Sequence, residues 1–277
     1  KGDDTHTIAR LLQARGSELA AMPGKVGIAI DAGKAPVLGD SAADFRIERS
    51  MEGGLLVRAE GYALGMAGSD AAAVVEQLIR LTHWFVDTGG WDAGRMRRHT
   101  APLPDWAPAD TAPASPGEKL ALGEHREGMV VGLPFGRVAA NTLRNAVSQT
   151  VSSVQVTPWR RLLLQDCDTL PAVDGLIRHN SDPRLAMDAC PGAPFCEQAS
   201  VATQPLAEQL SGWMEGTVHI SGCAKGCARQ RPAALCLTGR DGRFDVIING
   251  RADSTPVKSG LTESEALDVI RKLSESH

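Results

Sequence analysis

Four of the chain's six cysteines come as two close pairs, and that pattern constrains the fold more than any other feature. One pair stands in Ala189-Cys-Pro-Gly-Ala-Pro-Phe-Cys196, the other in Ser221-Gly-Cys-Ala-Lys-Gly-Cys227. Glycine and proline beside each thiol favour tight turns whose backbone N–H groups can face anionic sulfur. Four thiolates converging from two loops are the ligand set of a cubane iron–sulfur cluster, which makes Cys190, Cys196, Cys223 and Cys227 candidate ligands. A structural zinc site also uses four thiolates, but its knuckles usually have two to four residues between ligands, and the five-residue gap fits poorly. Disulfides belong to oxidising compartments, and a chain of 277 residues can build its core without them. Unligated buried thiols form the third alternative, although such residues would be expected to scatter. Cys167 and Cys236 lie at apolar, strand-like positions and read as core residues.

The remaining composition narrows the function classes. Aromatic residues make up only 4%, with a single Tyr, too few for platforms that stack single-stranded nucleic acid. The net charge of −4 gives no basic excess for a polyanion partner. No apolar run approaches the roughly 18 residues of a membrane span, and the polar opening has no signal-peptide character. A cytoplasmic enzyme is expected. The chain opens on Lys1 rather than Met, so it reads as a piece of a longer protein.

Organisation follows from a proline run. Pro102, Pro104, Pro108, Pro113 and Pro116 mark residues 100–118 as a linker, read as an extended strap across the surface. Before it, residues 1–99 form a first lobe. Its helical stripe runs through Ile8, Leu11, Leu12, Arg15 and Leu19. Strands are expected at 25–31, 45–48 and 55–60, then a helix over 70–85 with Ser69 or Asp70 as N-cap. Residues 119–180 read as strand 128–134, helix 139–150, strands 153–157 and 161–165, and helix 170–179, most of a ferredoxin-like split βαβ unit. Residues 181–277 carry the cysteine pairs, a helix at 204–214, and strands at 217–221, 234–238 and 244–248. A terminal helix opens on the capping box Thr262-Glu-Ser-Glu265. The first and last blocks share one plan, which suggests a duplicated architecture.

These residues resemble the nitrite and sulfite reductase family. The resemblance rests on the cysteine pairs, with Pro after the first and Gly before the third. It rests equally on Gly132-Leu-Pro-Phe-Gly-Arg137 and Val156-Thr-Pro-Trp-Arg-Arg161 in the ferredoxin-like block. It implies an α+β protein: a ferredoxin-like repeat plus two related α/β lobes, the second holding a 4Fe-4S cluster on Cys190, Cys196, Cys223 and Cys227. Cys227 would face the tetrapyrrole. In this family one strand carries two lysines that bind the anionic substrate; here Lys25 is kept, but Gly27 stands at the second position. That departure counts against anion reduction. The phrasing of His219-Ile-Ser-Gly-Cys-Ala-Lys-Gly-Cys227 and of Met22-Pro-Gly-Lys-Val-Gly resembles the oxygen-dependent synthase branch of aerobic cobalamin synthesis.

That branch implies hydroxylation and γ-lactone closure on precorrin-3A to give precorrin-3B. O2 would be the oxidant, NADH the ultimate reductant, and a mononuclear non-haem iron an additional centre. An electron donor protein could be a further partner. A second reading is a sirohaem-dependent sulfite or nitrite reductase. A third is a non-catalytic electron-transfer or tetrapyrrole-carrier module. The family's complete architecture implies a further ferredoxin-like repeat ahead of Lys1.

The cationic candidates follow from substrate chemistry, because precorrins carry many carboxylates that guanidinium groups can pair. They are Lys25, Arg137 at a helix start, Arg160 and Arg161 after the Thr-Pro-Trp turn, and Lys225 inside the cysteine loop. Strand alternation would send Arg160 and Arg161 to opposite faces, with at most one reaching a cleft. His219 reads as a satisfied strand residue, and Arg95-Met-Arg-Arg-His99 as a solvated loop. Residues 148–153 are polar and β-prone, with no nucleophile constellation beside them.

Overall fold

The computed structural model describes residues 3–147 and 150–275, arranged as two compact units, Lys1–Lys119 and Leu120–His277. In the first unit, helix α1 (Thr5–Ala14) precedes the strands β1 (Ile28–Asp31), β2 (Phe45–Arg49), β3 (Leu55–Ala59) and β4 (Met66–Gly68). They form one sheet in the order β1-β2-β3-β4, with β1 and β2 parallel and the other pairs antiparallel. Helix α2 (Ala71–Phe85) follows, its first turn closed by the Asp70 carboxylate, which accepts from the Ala73 N–H. Its Val74, Leu78 and Phe85 join Ile8, Phe45, Ile47 and Val57 in one core. A short turn of helix, α3 (Trp91–Ala93), comes next.

The expected strand from 25 begins only at Ile28, because Gly27 bonds outward. Its N–H donates to Asp44 and its carbonyl accepts from the Asp44 N–H. Lys25 therefore sits on an exposed turn before the strand. Helix α1 likewise ends before Arg15 and Leu19.

The proline run is an ordered strap within this unit. The Met51 N–H donates to the Ala112 carbonyl, the Gly65 N–H to Thr111, and the Ala114 N–H to Arg49. Ala107 is buried in the core, and the Arg80 guanidinium lies 3.9 Å from the centre of the Trp106 ring.

The second unit holds two sheets. The first is β5 (Gly123–His125), β6 (Gly128–Gly132), β8 (Arg161–Gln165) and β7 (Ser153–Val156), in that spatial order and antiparallel throughout. Strands β6 and β7 both run opposite to β8, so they are parallel to each other across it, and helix α4 (Ala140–Ala146) joins them. That is the split βαβ arrangement. The expected helix is shorter than 139–150, and Ser148 and Gln149 lie outside the described residues.

The expected helix over 170–179 does not form. Pro171 and Gly175, the latter at φ 89°, interrupt it. The adjacent Leu176 and Ile177 enter different clusters, Leu176 with Met129 and Leu164, Ile177 with Val130 and Leu163. Neighbouring residues buried in opposite directions belong to extended chain, and Ile177 makes an antiparallel bridge to Gly132.

The second sheet has the order β13-β12-β11-β10-β9, from β9 (Met187–Ala189), β10 (Val218–Ser221), β11 (Ala233–Arg240), β12 (Arg243–Gly250) and β13 (Lys258–Leu261). Helix α5 (Gln204–Gln209) lies between β9 and β10, ending short of the expected 214. Helix α6 (Glu263–Ser274) closes the chain, with both halves of the Thr262/Glu265 capping box formed. Strand β10 is parallel to β11, β11 and β12 form a hairpin, β12 pairs antiparallel with β13, and α6 follows. The order β1, β2, β3, β4, α2 repeats that plan element for element, so the duplicated architecture is real at the level of topology.

Candidate metal centre

The cysteine pairs are brought together by strand direction. Strands β9 and β10 are parallel neighbours, with Ala189 opposite Ile220, so both end at the same edge of the sheet. Cys190 follows the last residue of β9, and Gly222 and Cys223 follow the last residue of β10. Two loops distant in sequence thus leave the sheet side by side.

Backbone bonds then lock them. The Ser200 N–H donates to the Gly222 carbonyl, the Cys190 N–H to Ile220, and the Ala193 N–H to Val201. The buried Thr203 hydroxyl donates to the Cys190 carbonyl. The Gly222 N–H donates to Cys190 Sγ at 3.2 Å, the kind of N–H···S contact that stabilises a thiolate. Position 222 admits no side chain, since a Cβ there would stand 2.5 Å from the Ala199 Cβ. Across the two loops, the Lys225 ammonium donates to the Gln198 side-chain oxygen at 3.1 Å.

All six cysteines are unpaired. Cys190 is buried, Cys196 and Cys223 are half-buried, and Cys227 is exposed. Among the described residues no group of three or more Cys, His, Asp or Glu side chains is arranged to hold a single metal ion. A cubane poses a different requirement, one thiolate at each of four irons, so its ligands stand around a cage rather than a point. Four free thiols on two adjoining loops, with an N–H already turned to one sulfur, fit that group in donor chemistry.

The cationic candidates separate into those already engaged and those available. Arg160 adopts φ 58° in the turn before β8, so strand alternation does not govern it. Its guanidinium donates to the Met187 carbonyl at 2.7 Å and to Leu185, and stands 3.6 Å from Asp188. Arg161 donates to the Leu120 carbonyl, while its Nε is buried with no partner. Burial and the neighbouring Arg160 lower its proton affinity. Both arginines therefore tie backbone together.

Arg137 is different. It is exposed, its guanidinium lies 4.1 Å from the centre of the Phe195 ring, and among the described residues that guanidinium hydrogen-bonds the neutral Gln204 side chain. Phe195, next to Cys196, is itself 67% exposed. Arg137 and Phe195 border a cavity of about 580 Å³ whose walls include Phe135, Val138, Pro191 and Pro194. The cavity thus joins the ferredoxin-like block to the Cys190–Cys196 loop. Lys25 belongs to the first unit, on the exposed turn before β1. Sequence reasoning missed Phe195, Gln198 and Gln204. Of these only Phe195 carried a signal, as a large apolar residue between Pro194 and a candidate ligand.

Cys167 and Cys236 are buried core thiols. Cys236 lies 3.5 Å from His219 Nδ1, and burial pushes its thiol up to about 11. His219 is fully buried, its Nε2 has no hydrogen-bond partner among the described residues, and burial lowers its pKa.

With this geometry in place, the comparisons bear on it. No family model matches the chain. It is 28% identical to a precorrin-3B synthase of Sinorhizobium sp, over 84% of this chain and 57% of that protein. The nitrite and sulfite reductase resemblance is borne out. A precorrin-3B synthase is matched over most of the chain, and two sulfite reductase (NADPH) hemoprotein beta-components match over about half of it. The one from Bordetella petrii is 26% identical over 53% of this chain and 29% of its own length. The one from Afipia carboxidovorans is 25% identical over 53% and 30%. The chain therefore spans little more than half of the synthase and less than a third of each reductase component. Among solved structures, the NirA protein of Mycobacterium tuberculosis shares the fold, with a TM-score of 0.54 and 17% identity over 99% of this chain and 64% of that one.

Proposed function

We propose that this chain is the cluster-bearing part of an oxygen-dependent enzyme that hydroxylates precorrin-3A and closes a γ-lactone to give precorrin-3B. One atom of O2 enters the substrate, the other leaves as water, and NADH supplies the two electrons. The observation that carries the reading is the placement of both cysteine pairs at the ends of the adjacent parallel strands β9 and β10, with Gly222 seated between them. The similarity to a precorrin-3B synthase over 84% of the chain supports the substrate class.

Cys190, Cys196, Cys223 and Cys227 would hold a 4Fe-4S cluster, which when bound supplies electrons singly to the oxygen-activating centre, in this branch a separate mononuclear iron. Around it, this chain's residues bind and orient. Arg137 offers a guanidinium whose hydrogen-bond partner among the described residues is the neutral Gln204, so its charge is available to a substrate carboxylate. Phe195 holds that guanidinium in place by its ring face and offers an apolar surface to the macrocycle. Lys225 places a cation within the second cysteine loop, where it offsets thiolate charge. Arg160 and Arg161 act on the scaffold, and Lys25 gives the first unit a single exposed cation where the reductases carry two.

The test is anaerobic purification followed by iron and sulfide analysis and electron paramagnetic resonance of the dithionite-reduced protein. Four irons and four sulfides without sirohaem absorption support the reading and call for a precorrin-3A turnover assay. Tightly bound sirohaem with anion reduction would move the assignment to a sulfite or nitrite reductase. Zinc without sulfide would overturn the cluster and the mechanism together. A redox-active cluster with no precorrin turnover in the complete protein would indicate a non-catalytic electron carrier.

A further inference from the structure

Beneath the second cysteine loop lies a polar row that the proposed chemistry leaves unused, with His219 and Cys236 fully buried and Asp188 half-buried. Asp188, His219 and Cys236 face one another in register across β9, β10 and β11. From His219 the contacts continue through Cys236 Sγ at 3.5 Å, Thr238 Oγ1 at 3.7 Å, and the Ala252 carbonyl at 3.1 Å. The far end fixes the direction of the chain. A carbonyl only accepts, so the single Thr238 hydroxyl proton goes to Ala252. With the thiol proton directed to Thr238 Oγ1, the sulfur accepts from His219 Nδ1–H, an arrangement that leaves the imidazole lone pair at Nε2.

That lone pair is the unexplained feature. His219 is fully buried, and among the described residues Nε2 meets no hydrogen-bond partner. The ring's Cε1 edge lies against the turn that carries the last two cysteine-loop residues, so that a methyl group at Gly226 would stand 3.6 Å from it. Gly226 is buried at φ 59°, and its turn is held from outside by Gln230, which donates to the carbonyls of Lys225 and Gly226. Those bonds engage carbonyls; among the described residues the Gly226 N–H makes a long 3.4 Å bond to the Cys223 carbonyl, and the Cys227 N–H makes no backbone bond. A buried acceptor thus adjoins a turn with under-used donors.

We propose that His219 is a positioning residue: its Nε2 accepts a backbone N–H of the Gly226–Cys227 turn when that turn closes on the cluster, and so sets the direction of the Cys227 thiolate. The inference rests on the cluster reading above and adds to it a named support outside the ligand set. Outer partners of this kind orient metal ligands and govern how firmly the group is held.

Two substitutions separate this role from simple packing. His219→Asn keeps a donor at the Nδ1 position for Cys236 but places nothing at Nε2. His219→Gln places a polar amide at the Nε2 position. The apoproteins are compared by thermal unfolding, and the anaerobically reconstituted proteins by iron and sulfide content and by the rate of bleaching in air. The expected result is that the Gln variant holds the cluster like the parent while the Asn variant loses it about tenfold faster, equivalent to roughly 1.4 kcal/mol for one hydrogen bond. The two apoproteins should unfold at similar temperatures. Equal cluster lifetimes in the two variants, or a difference matched by an equal difference in apoprotein unfolding, would overturn the positioning role alone. Failure of the parent chain to take up iron and sulfide would overturn the cluster reading and this inference together.

Discussion

The contact between the two cysteine loops can be tested by one methyl group. In Gly222→Ala the new Cβ would stand 2.5 Å from the Ala199 Cβ, 3.3 Å from the Ala199 Cα and 3.4 Å from the Gly192 Cα. Carbon pairs settle at about 3.5–4.0 Å, so the loops must part by about 1 Å. Ala199 has little freedom to retreat, because its N–H bonds Cys196 and the following Ser200 N–H bonds Gly222 itself. Overpacking of this kind costs about 1–3 kcal/mol. In a unit of this size each kcal/mol lowers Tm by about 2–4 °C, giving a fall of about 2–12 °C for the apoprotein. The reasoning specifies the cause as well as the size, since removing the opposing methyl should restore the space. Gly222→Ala combined with Ala199→Gly should be more stable than the sum of the single effects by at least about 1 kcal/mol in a double-mutant cycle. Reconstituted iron content should fall in Gly222→Ala and recover in the pair. A Gly222→Ala protein that unfolds like the parent, or single effects that simply add, would show that the loops are not packed on this glycine.

Three further expectations follow from separate parts of the molecule. Serine at Cys190, Cys196, Cys223 or Cys227 should each lower reconstituted iron and sulfide, whereas serine at Cys167 or Cys236 should lower apoprotein stability and leave the metal stoichiometry unchanged. The Arg184 side chain, hydrogen-bonded to Asp182, holds that carboxyl below its ordinary value. A depressed folded-state pKa gives stability that is present above the unfolded value of about 3.9 and lost as pH falls through the folded one. Asp182→Asn should therefore be less stable than the parent at pH 7 in denaturant titrations, with the gap closing below about pH 4. Trp106→Ala removes the ring under Arg80, a contact of about 0.5–2 kcal/mol, and should speed proteolysis within residues 100–118 ahead of any cut elsewhere in the first unit.

What was legible in the sequence was whatever a local rule enforces. Asp70 caps α2, and Thr262 with Glu265 closes the start of α6, because each cap is satisfied within three residues. Strands β6, β7 and β8 followed from runs bounded by glycine and proline. The failures lie where spacing imitates a period that the fold does not use. Leu170, Val173, Leu176 and Ile177 match a helical stripe, yet Leu176 and Ile177 are buried in different clusters. Arg160 looked like a strand residue, but its left-handed backbone turns its guanidinium onto the Leu185 and Met187 carbonyls. In the site, the cysteine pairs stood out as candidate ligands because residue type carries their chemistry, and two converging loops were expected of them; the parallel pairing of β9 with β10 that sets those loops side by side was not legible. The Nε2 lone pair of His219 depends on the hydrogen-bond direction at Ala252, thirty-three positions further on, which no local pattern encodes.

The two units share a repeated topology, but all six cysteines stand in the second, and the loops at the matching strand ends differ accordingly. Asp31 ends β1 opposite Glu48, and Ser221 ends β10 opposite Thr238, so the two residues occupy the same place in the repeated plan. The loops that leave them are satisfied in opposite ways. Asp31 is buried, and its carboxylate accepts the N–H groups of Val37 and Leu38 at 2.9 and 2.8 Å, so its loop closes on a charge of its own. The Ser221 hydroxyl instead donates to the Cys223 carbonyl at 2.7 Å, and the Gly222 N–H turns to the Cys190 sulfur. An internal carboxylate uses up the donors that an anionic cluster requires and adds a like charge beside it. A hydroxyl in the same place engages a carbonyl and leaves the N–H groups to sulfur. On a shared plan, the loop after β1 thus closes on its own carboxylate, whereas the loop after β10 turns an N–H to a cysteine sulfur.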